Sequence, residues 1–342
     1  MVPGRGWFRP TWAPSVITMA LFDFPLHELR EYRLSRPEPA GFDDFWSGTL
    51  TAARRAALPP KLTEVGTPLK GVTTFDVTFT GYAGQPVRAW LNRPSTADGP
   101  LPIAVEFIGY GGGRGLPIDW LTWTSAGYAH LIMDTRGQGG GWRGGDTPDP
   151  DDHGAGPSSP GFLTRGVLAP ETFYYRRLIT DAVRAVETAT ELPGADASRL
   201  VVTGKSQGGA LALSAAGLVP ELVAAVVAGV PFLCDIQRAI TITDSNPYAE
   251  VVRFLRANPR AAQRTLDTLD HVDAVHFARR ITAPSIMSAA LMDDVCPPSG
   301  VFAAYNAIEG QKEIEVYPWD DHAGGRSFFD TAALEFVDDR LS

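Results

Sequence analysis

Hydrophobic spacing divides the chain into alternating extended and helical stretches. Phe42, Phe45, Trp46 and Leu50 recur at helical spacing and predict a helix over 41–58, after a shorter one over 26–34. Residues 73–80 alternate, and 86–91 repeat the pattern beyond a turn at 81–84, so the sheet is expected to open with antiparallel strands. Residues 101–107 are almost continuously apolar, as a strand covered on both faces must be. A helix over 117–126 and a second buried strand over 128–133 are expected next. Residues 139–170 are rich in Gly, Pro and Asp and show no element, and a stretch that long inside a compact fold is either functional or disordered.

Helical spacing returns over 171–191 through Tyr174, Leu178, Ala182 and Val186. Val201-Val202-Thr203 then reads as a strand that runs into a glycine turn and an alanine-rich helix. A strand over 222–230, a helical insertion over 233–280, strands over 284–291 and 313–317 and helices over 299–308 and 327–339 complete the pattern. Strands alternating with helices predict an α/β fold: a mostly parallel twisted sheet flanked by helices, forming a single domain over 19–342.

Composition narrows the function more than the fold. Apolar residues at 44% and charged residues at 20% suit a globular enzyme, and a formal net charge of −9 argues against a nucleic-acid partner. The chain has only 2 cysteines, Cys234 and Cys296, outside any CxxC pattern, so a disulfide scaffold is not expected and a reducing cytoplasm is. No run of about 18 apolar residues exists to span a membrane. Residues 1–18 lack both a continuous apolar stretch and a small-residue cleavage site, so they read as a loose extension rather than a signal peptide. An upstream start codon or an arm that packs on a neighbouring subunit would account for them.

The chemistry concentrates at Gly204-Lys205-Ser206-Gln207-Gly208-Gly209. A serine at a strand-to-helix turn is exposed for attack, and small residues two positions either side let strand and helix approach each other. The helix N-terminus then directs N–H groups at developing negative charge. A serine needs a base and the base needs an orienting acid. Among the 6 histidines, His322 lies just beyond the last predicted strand, where α/β sheets carry reactive groups. His130 falls in an apolar strand, and His271 and His276 fall in the insertion, where packing or solvation explains them. Asp293, first after another buried strand, is the preferred acid, with Asp294 second. The resulting order Ser206, Asp293, His322 is that of the α/β-hydrolase fold. Backbone N–H groups of Gln207 and of Tyr110, in the glycine loop 109–113, are the expected oxyanion donors. That glycine loop lacks the Gly-Lys-Ser/Thr ending of a phosphate cradle, and no histidine or carboxylate pair has ligand spacing, so neither cofactor nor metal is expected.

Several stretches resemble the acetyl xylan esterase/cephalosporin C deacetylase family of carbohydrate esterases. They include Gly109-Tyr110-Gly111-Gly112, Asp134-Thr135-Arg136-Gly137-Gln138-Gly139, Ser206-Gln207-Gly208-Gly209, Asp293-x-x-Cys296-Pro297-Pro298-Ser299 and Tyr317-x-x-x-x-His322. The resemblance covers nearly everything after Met19. It implies a triad of Ser206, Asp293 and His322, an oxyanion hole at Tyr110 and Gln207 that also binds substrate, and structural roles for Arg136 and Gln138. It further implies a cytoplasmic esterase acting on small acetylated sugars or cephalosporin-like acetates, and a homo-oligomer, often a hexamer. Three positions depart from the family pattern: Ile108 and Phe162 stand where histidines are usual, and Lys205 where a small residue is. These departures bear on pocket polarity. The alternatives are another α/β-hydrolase, a longer-chain esterase or peptidase, and a binding protein without turnover.

Overall fold

The computed structural model describes residues 22–97, 99–150 and 161–341. The extension expected over 1–18 and the middle of the 139–170 stretch lie outside these residues. Two helices open the described chain, α1 (Leu26–Glu31) and α2 (Phe42–Arg55), and α2 turns Phe42, Trp46, Leu50 and Ala53 inwards as the spacing predicts. Three strands follow: β1 (Lys61–Val65), β2 (Val72–Thr80) and β3 (Pro86–Pro94). Next come β4 (Leu101–Phe107), a single turn α3 (Thr122–Ser125), β5 (Ala129–Met133), α4 (Tyr174–Thr190), β6 (Ala195–Lys205), α5 (Gln207–Leu218) and β7 (Ala225–Gly229). The insertion contributes α6 (Ile236–Ile242), α7 (Tyr248–Ala257), α8 (Ala262–Asp270) and α9 (Ala274–Ala278). The chain closes with β8 (Ser285–Ala290), α10 (Pro298–Ala307), β9 (Lys312–Tyr317) and α11 (Arg326–Leu341).

The strands form one 9-stranded sheet in the order β1-β2-β3-β5-β4-β6-β7-β8-β9. The pairs β1–β2, β2–β3 and β3–β5 are antiparallel, and every later pair is parallel. The parallel strands β5, β7 and β8 are buried on both faces, which explains their continuous apolar runs, whereas β9 at the sheet edge alternates. One face carries the larger core, where α4 and α5 pack on β4 and β6 and where Leu200, Val202, Leu211 and Ile179 are fully buried. The other face carries α3 and α11 over a smaller cluster that includes Trp123, Val201, Val227 and Phe336.

Two expectations change. The strand β1 was not anticipated, because Lys61-Leu62-Thr63-Glu64-Val65 is a mostly exposed edge strand without a buried stripe. The helix expected over 117–126 is instead a 3-10 turn at Pro117–Asp119 followed by the single turn of α3. Asp119 Oδ2 accepts the Leu116 N–H at 2.9 Å, and such a local side-chain bond competes with a helical one.

Candidate active site

Ser206 sits between β6 and α5 with φ 56° and ψ −119°, a strained conformation for a residue with a side chain. Its flanking glycines are sterically required. A Cβ on Gly204 would lie 2.4 Å from the Gly208 backbone, and one on Gly208 would lie 2.1 Å from the Phe107 carbonyl oxygen. The Ser206 N–H donates to the Gly229 carbonyl at 2.9 Å, and its carbonyl accepts Phe232 N–H at 3.0 Å, so neighbouring strands hold the turn in place.

His322 lies in the loop after β9, and Asp293 in the loop after β8. The Asp293 carboxylate is fully buried, with Oδ2 2.9 Å and Oδ1 3.1 Å from His322 Nδ1. Val295 and Cys296 N–H groups donate to Asp293 Oδ1 at 2.9 and 2.8 Å, which fixes the carboxylate before it meets the ring. Asp294 points elsewhere: its Oδ2 accepts the Ser245 hydroxyl at 2.8 Å. Asp320 and Asp321 shape the histidine loop, accepting Gly325 and Ala323 N–H groups. The other described histidines stand apart from this pair. His130 is buried beside Glu106, His271 bonds the Asp267 carbonyl, and His276 is buried against Phe42, where burial first and nearby arginines second lower its pKa to about 3.

Cys296 is the neighbour that sequence reasoning passed over. Its Sγ is 3.8 Å from Ser206 Oγ, and with Asp293 and His322 it forms a group of three ligand-type side chains within 4.8 Å. The available signal was its place three positions after Asp293, where its N–H donates to that carboxylate. Burial pushes the Cys296 thiol up to about 11, so near neutrality it is uncharged. Burial disfavours the His322 imidazolium, but the Cys296 and Asp293 side chains outweigh it and raise the histidine's pKa above 6.5. With Cys296 as a neutral thiol, the Asp293 carboxylate is the partner that acts near neutrality.

The glycine loop after β4 is held over the serine by side chains from distant segments. Gln138 Oε1 accepts Gly111 N–H at 2.6 Å, while its Nε2 donates to Gln207 Oε1 at 2.9 Å. Gln207 Nε2 donates to the Ile108 carbonyl at 3.1 Å, and Tyr175 donates to Gln207 Oε1 at 3.0 Å. The Trp142 indole donates to the Tyr110 carbonyl at 2.9 Å. Gln207 opens α5, so its backbone N–H has no partner one turn back in the helix. The Tyr110 phenol donates to Glu250 Oε1 at 2.7 Å and accepts Phe162 N–H at 2.6 Å. Glu250, buried on α7, also accepts Leu163 N–H at 3.1 Å. Arg136 is fully buried and paired with Asp181 (NH2 to Oδ1, 2.8 Å), which anchors the loop that carries Gln138.

A cavity of about 640 Å³ opens at this point, lined by Ser206, His322 and Tyr110, with Ile108 and Lys205 also in its wall. Two of the three departures from the family pattern therefore face it. The third, Phe162, stacks edge-on against Tyr110 at 5.6 Å.

The mostly parallel sheet, the serine elbow and the Asp–His pair at successive strand ends define an α/β-hydrolase. The family model for acetyl xylan esterase (AXE1) matches residues 19–340, and the chain belongs to that family, whose members are carboxylic ester hydrolases. Among solved structures, an acetyl xylan esterase from Paenibacillus sp. R4 is 35% identical, covers 93% of this chain and 100% of its own, and superposes with a TM-score of 0.87. Acetyl xylan esterase 1 from Thermoanaerobacterium sp. JW/SL YS485 is 33% identical, with 93% and 99% coverage and a TM-score of 0.84. An acetyl esterase from Xylanibacter ruminicola is 35% identical over 162 residues, which span 47% of this chain and only 36% of that protein.

Proposed function

We propose that the protein is a serine esterase that removes acetyl groups from small sugar-like esters. Its substrates would be acetylated xylo-oligosaccharides and, by the same chemistry, cephalosporin C-type acetates. The observation that carries the reading is the convergence of Ser206, His322 and Tyr110 on one cavity, with Asp293 bonded to the far nitrogen of the histidine. His322 takes the proton from Ser206 Oγ as the oxygen attacks the acetyl carbon. The tetrahedral oxyanion is held by the Tyr110 and Gln207 backbone N–H groups, and Asp293 stabilises the imidazolium. Collapse breaks the carbon–oxygen bond to the sugar, whose oxygen leaves with the proton from His322. A water then gives its proton to His322 as it attacks the acetyl-serine, and when the bond to Ser206 breaks His322 returns that proton to Oγ, releasing acetate.

Acetate release from p-nitrophenyl acetate and from acetylated xylo-oligosaccharide, with wild type and Ser206→Ala, tests this reading. Serine-dependent release from both supports it, release from the activated ester alone removes the sugar, and none from either removes the esterase. A marked preference for butyryl esters would overturn the short-acyl assignment.

The proposal extends to a cytoplasmic homo-oligomer, in line with the family resemblance. Both cysteines are free and buried, which suits a reducing compartment. Trp319 and Phe328 are exposed at 60% and 81%, large apolar surfaces that a partner subunit would cover. A monomeric mass by light scattering would overturn the assembly.

A further inference from the structure

The cavity at Ser206 is larger than an acetyl group requires, and its far end has an unusual floor. On the sheet face that carries α3 and α11, α3 packs on β3 and β5, and α11 packs on β7 and β8. Because α3 is a single turn, the two central strands β4 and β6 lie in the gap between these helices. Side chains on that face change character along each strand. On β4, buried Ala104 is followed by Glu106; on β6, buried Val201 is followed by Thr203 and then Lys205. A face roofed by helices would stay apolar to the strand ends, as the Val202 face does.

Glu106 and Thr203 are register partners across β4 and β6, so their side chains stand side by side. Both line the same cavity as Ser206. His130 on β5 is 1% exposed and lines it as well, with Nε2 2.8 Å from Glu106 Oε2 in an ion-pair contact, and neither ring nitrogen has a hydrogen bond of good geometry among the described residues. Lys205 reaches across to Asp330 on α11 at 3.3 Å. Trp123 and Phe329 form apolar walls on the two sides.

We propose that this trough is the subsite for the alcohol half of the ester, and that it takes a neutral polyhydroxylated chain such as a xylo-oligosaccharide. The inference rests on the esterase reading above and adds to it where the leaving group lies. A sugar ring offers hydroxyls that both donate and accept, together with an apolar C–H face. The trough offers carboxylate acceptors at Glu106 and Asp330, an ammonium donor at Lys205, a hydroxyl at Thr203 and aromatic surfaces beside them. An apolar alcohol would displace water from these polar groups without replacing its hydrogen bonds, so the trough favours a hydroxylated leaving group. Lys205, unusual for the family at the elbow, thereby gains a function: it is the first donor met by a leaving group extending from Ser206.

Binding and turnover together test the assignment. Xylotriose is titrated calorimetrically into Ser206→Ala, and into Ser206→Ala carrying Thr203→Val, Lys205→Ala or Glu106→Gln, with thermal melts to verify folding. Each added substitution is expected to weaken xylotriose binding at least fivefold. In the serine-containing forms, the ratio of kcat/KM for acetylated xylotriose to that for p-nitrophenyl acetate should fall about tenfold. Thr203→Val keeps the side-chain volume, so its result stands even where Glu106→Gln fails to fold. Unchanged affinity and an unchanged ratio, with serine-dependent turnover of p-nitrophenyl acetate intact, would overturn the subsite and leave the esterase standing. Xylotriose binding that depends on Thr203 in a protein without serine-dependent turnover would keep the subsite and remove the esterase.

Discussion

Glu250 is expected to influence a reaction it does not touch, through its hydrogen bond to Tyr110. It lies on α7, 140 positions from Tyr110, is 4% exposed and accepts both the Tyr110 phenol and the Leu163 N–H. The phenol already accepts Phe162 N–H, so its own proton is committed to Glu250. Glu250→Gln preserves shape but leaves an NH2 group facing one of those two donors. A buried hydrogen bond to a charged acceptor contributes about 1.5–3 kcal/mol. If that restraint acts through the Tyr110 backbone on the oxyanion alone, its loss lowers kcat by about 10- to 150-fold at one decade per ~1.4 kcal/mol, with KM nearly unchanged. Stability should fall by about 1–3 kcal/mol because one buried donor loses its acceptor, partly offset because burial already disfavours the Glu250 carboxylate, whose pKa is raised. The assay is steady-state hydrolysis of p-nitrophenyl acetate beside thermal melts, with Tyr110→Phe removing the same bond from its other end. The two substitutions should be strongly non-additive. A kcat within twofold of wild type, or losses that simply add, would refute the reasoning.

Other expected outcomes follow from the same geometry. Gly208→Ala places a Cβ 2.1 Å from the Phe107 carbonyl, a backbone clash that should cost at least about 3 kcal/mol of stability and abolish turnover, read by melting and p-nitrophenyl acetate hydrolysis. In the proposed mechanism His322 must be neutral to accept the serine proton, and its pKa is raised, so kcat/KM should fall on acidification with a midpoint above pH 6.5. Asp293→Asn should move that midpoint to lower pH while lowering kcat by about ten-thousandfold; an unmoved midpoint would count against the pairing. Gln138→Ala unties Gly111 from Gln207 and should lower kcat about tenfold with little change in KM.

The parallel half of the fold was legible from its apolar runs; of the candidate triad residues, Ser206 and Asp293 follow buried strands, while His322 follows the alternating edge strand β9. The chain's order of strand ends then brought His322 to Asp293 across 29 positions. What could not be read was lateral. Edge strand β1 has no buried stripe, and the 117–126 stretch exchanged a helix for the local bond between Asp119 and Leu116. The insertion was recognisably helical, but nothing in its spacing shows that Glu250 reaches Tyr110 in the glycine loop. The trough was hidden for a related reason. Glu106 looks like a single interruption in an apolar run until its register with Thr203 is known.

The most direct test of the account is acid-quenched mass spectrometry of the enzyme during turnover of p-nitrophenyl acetate, with peptide mapping of the adduct. The account predicts one acetyl group on Ser206 and none in Ser206→Ala. Turnover that persists without Ser206, or an acetyl group on Cys296 instead, would contradict it.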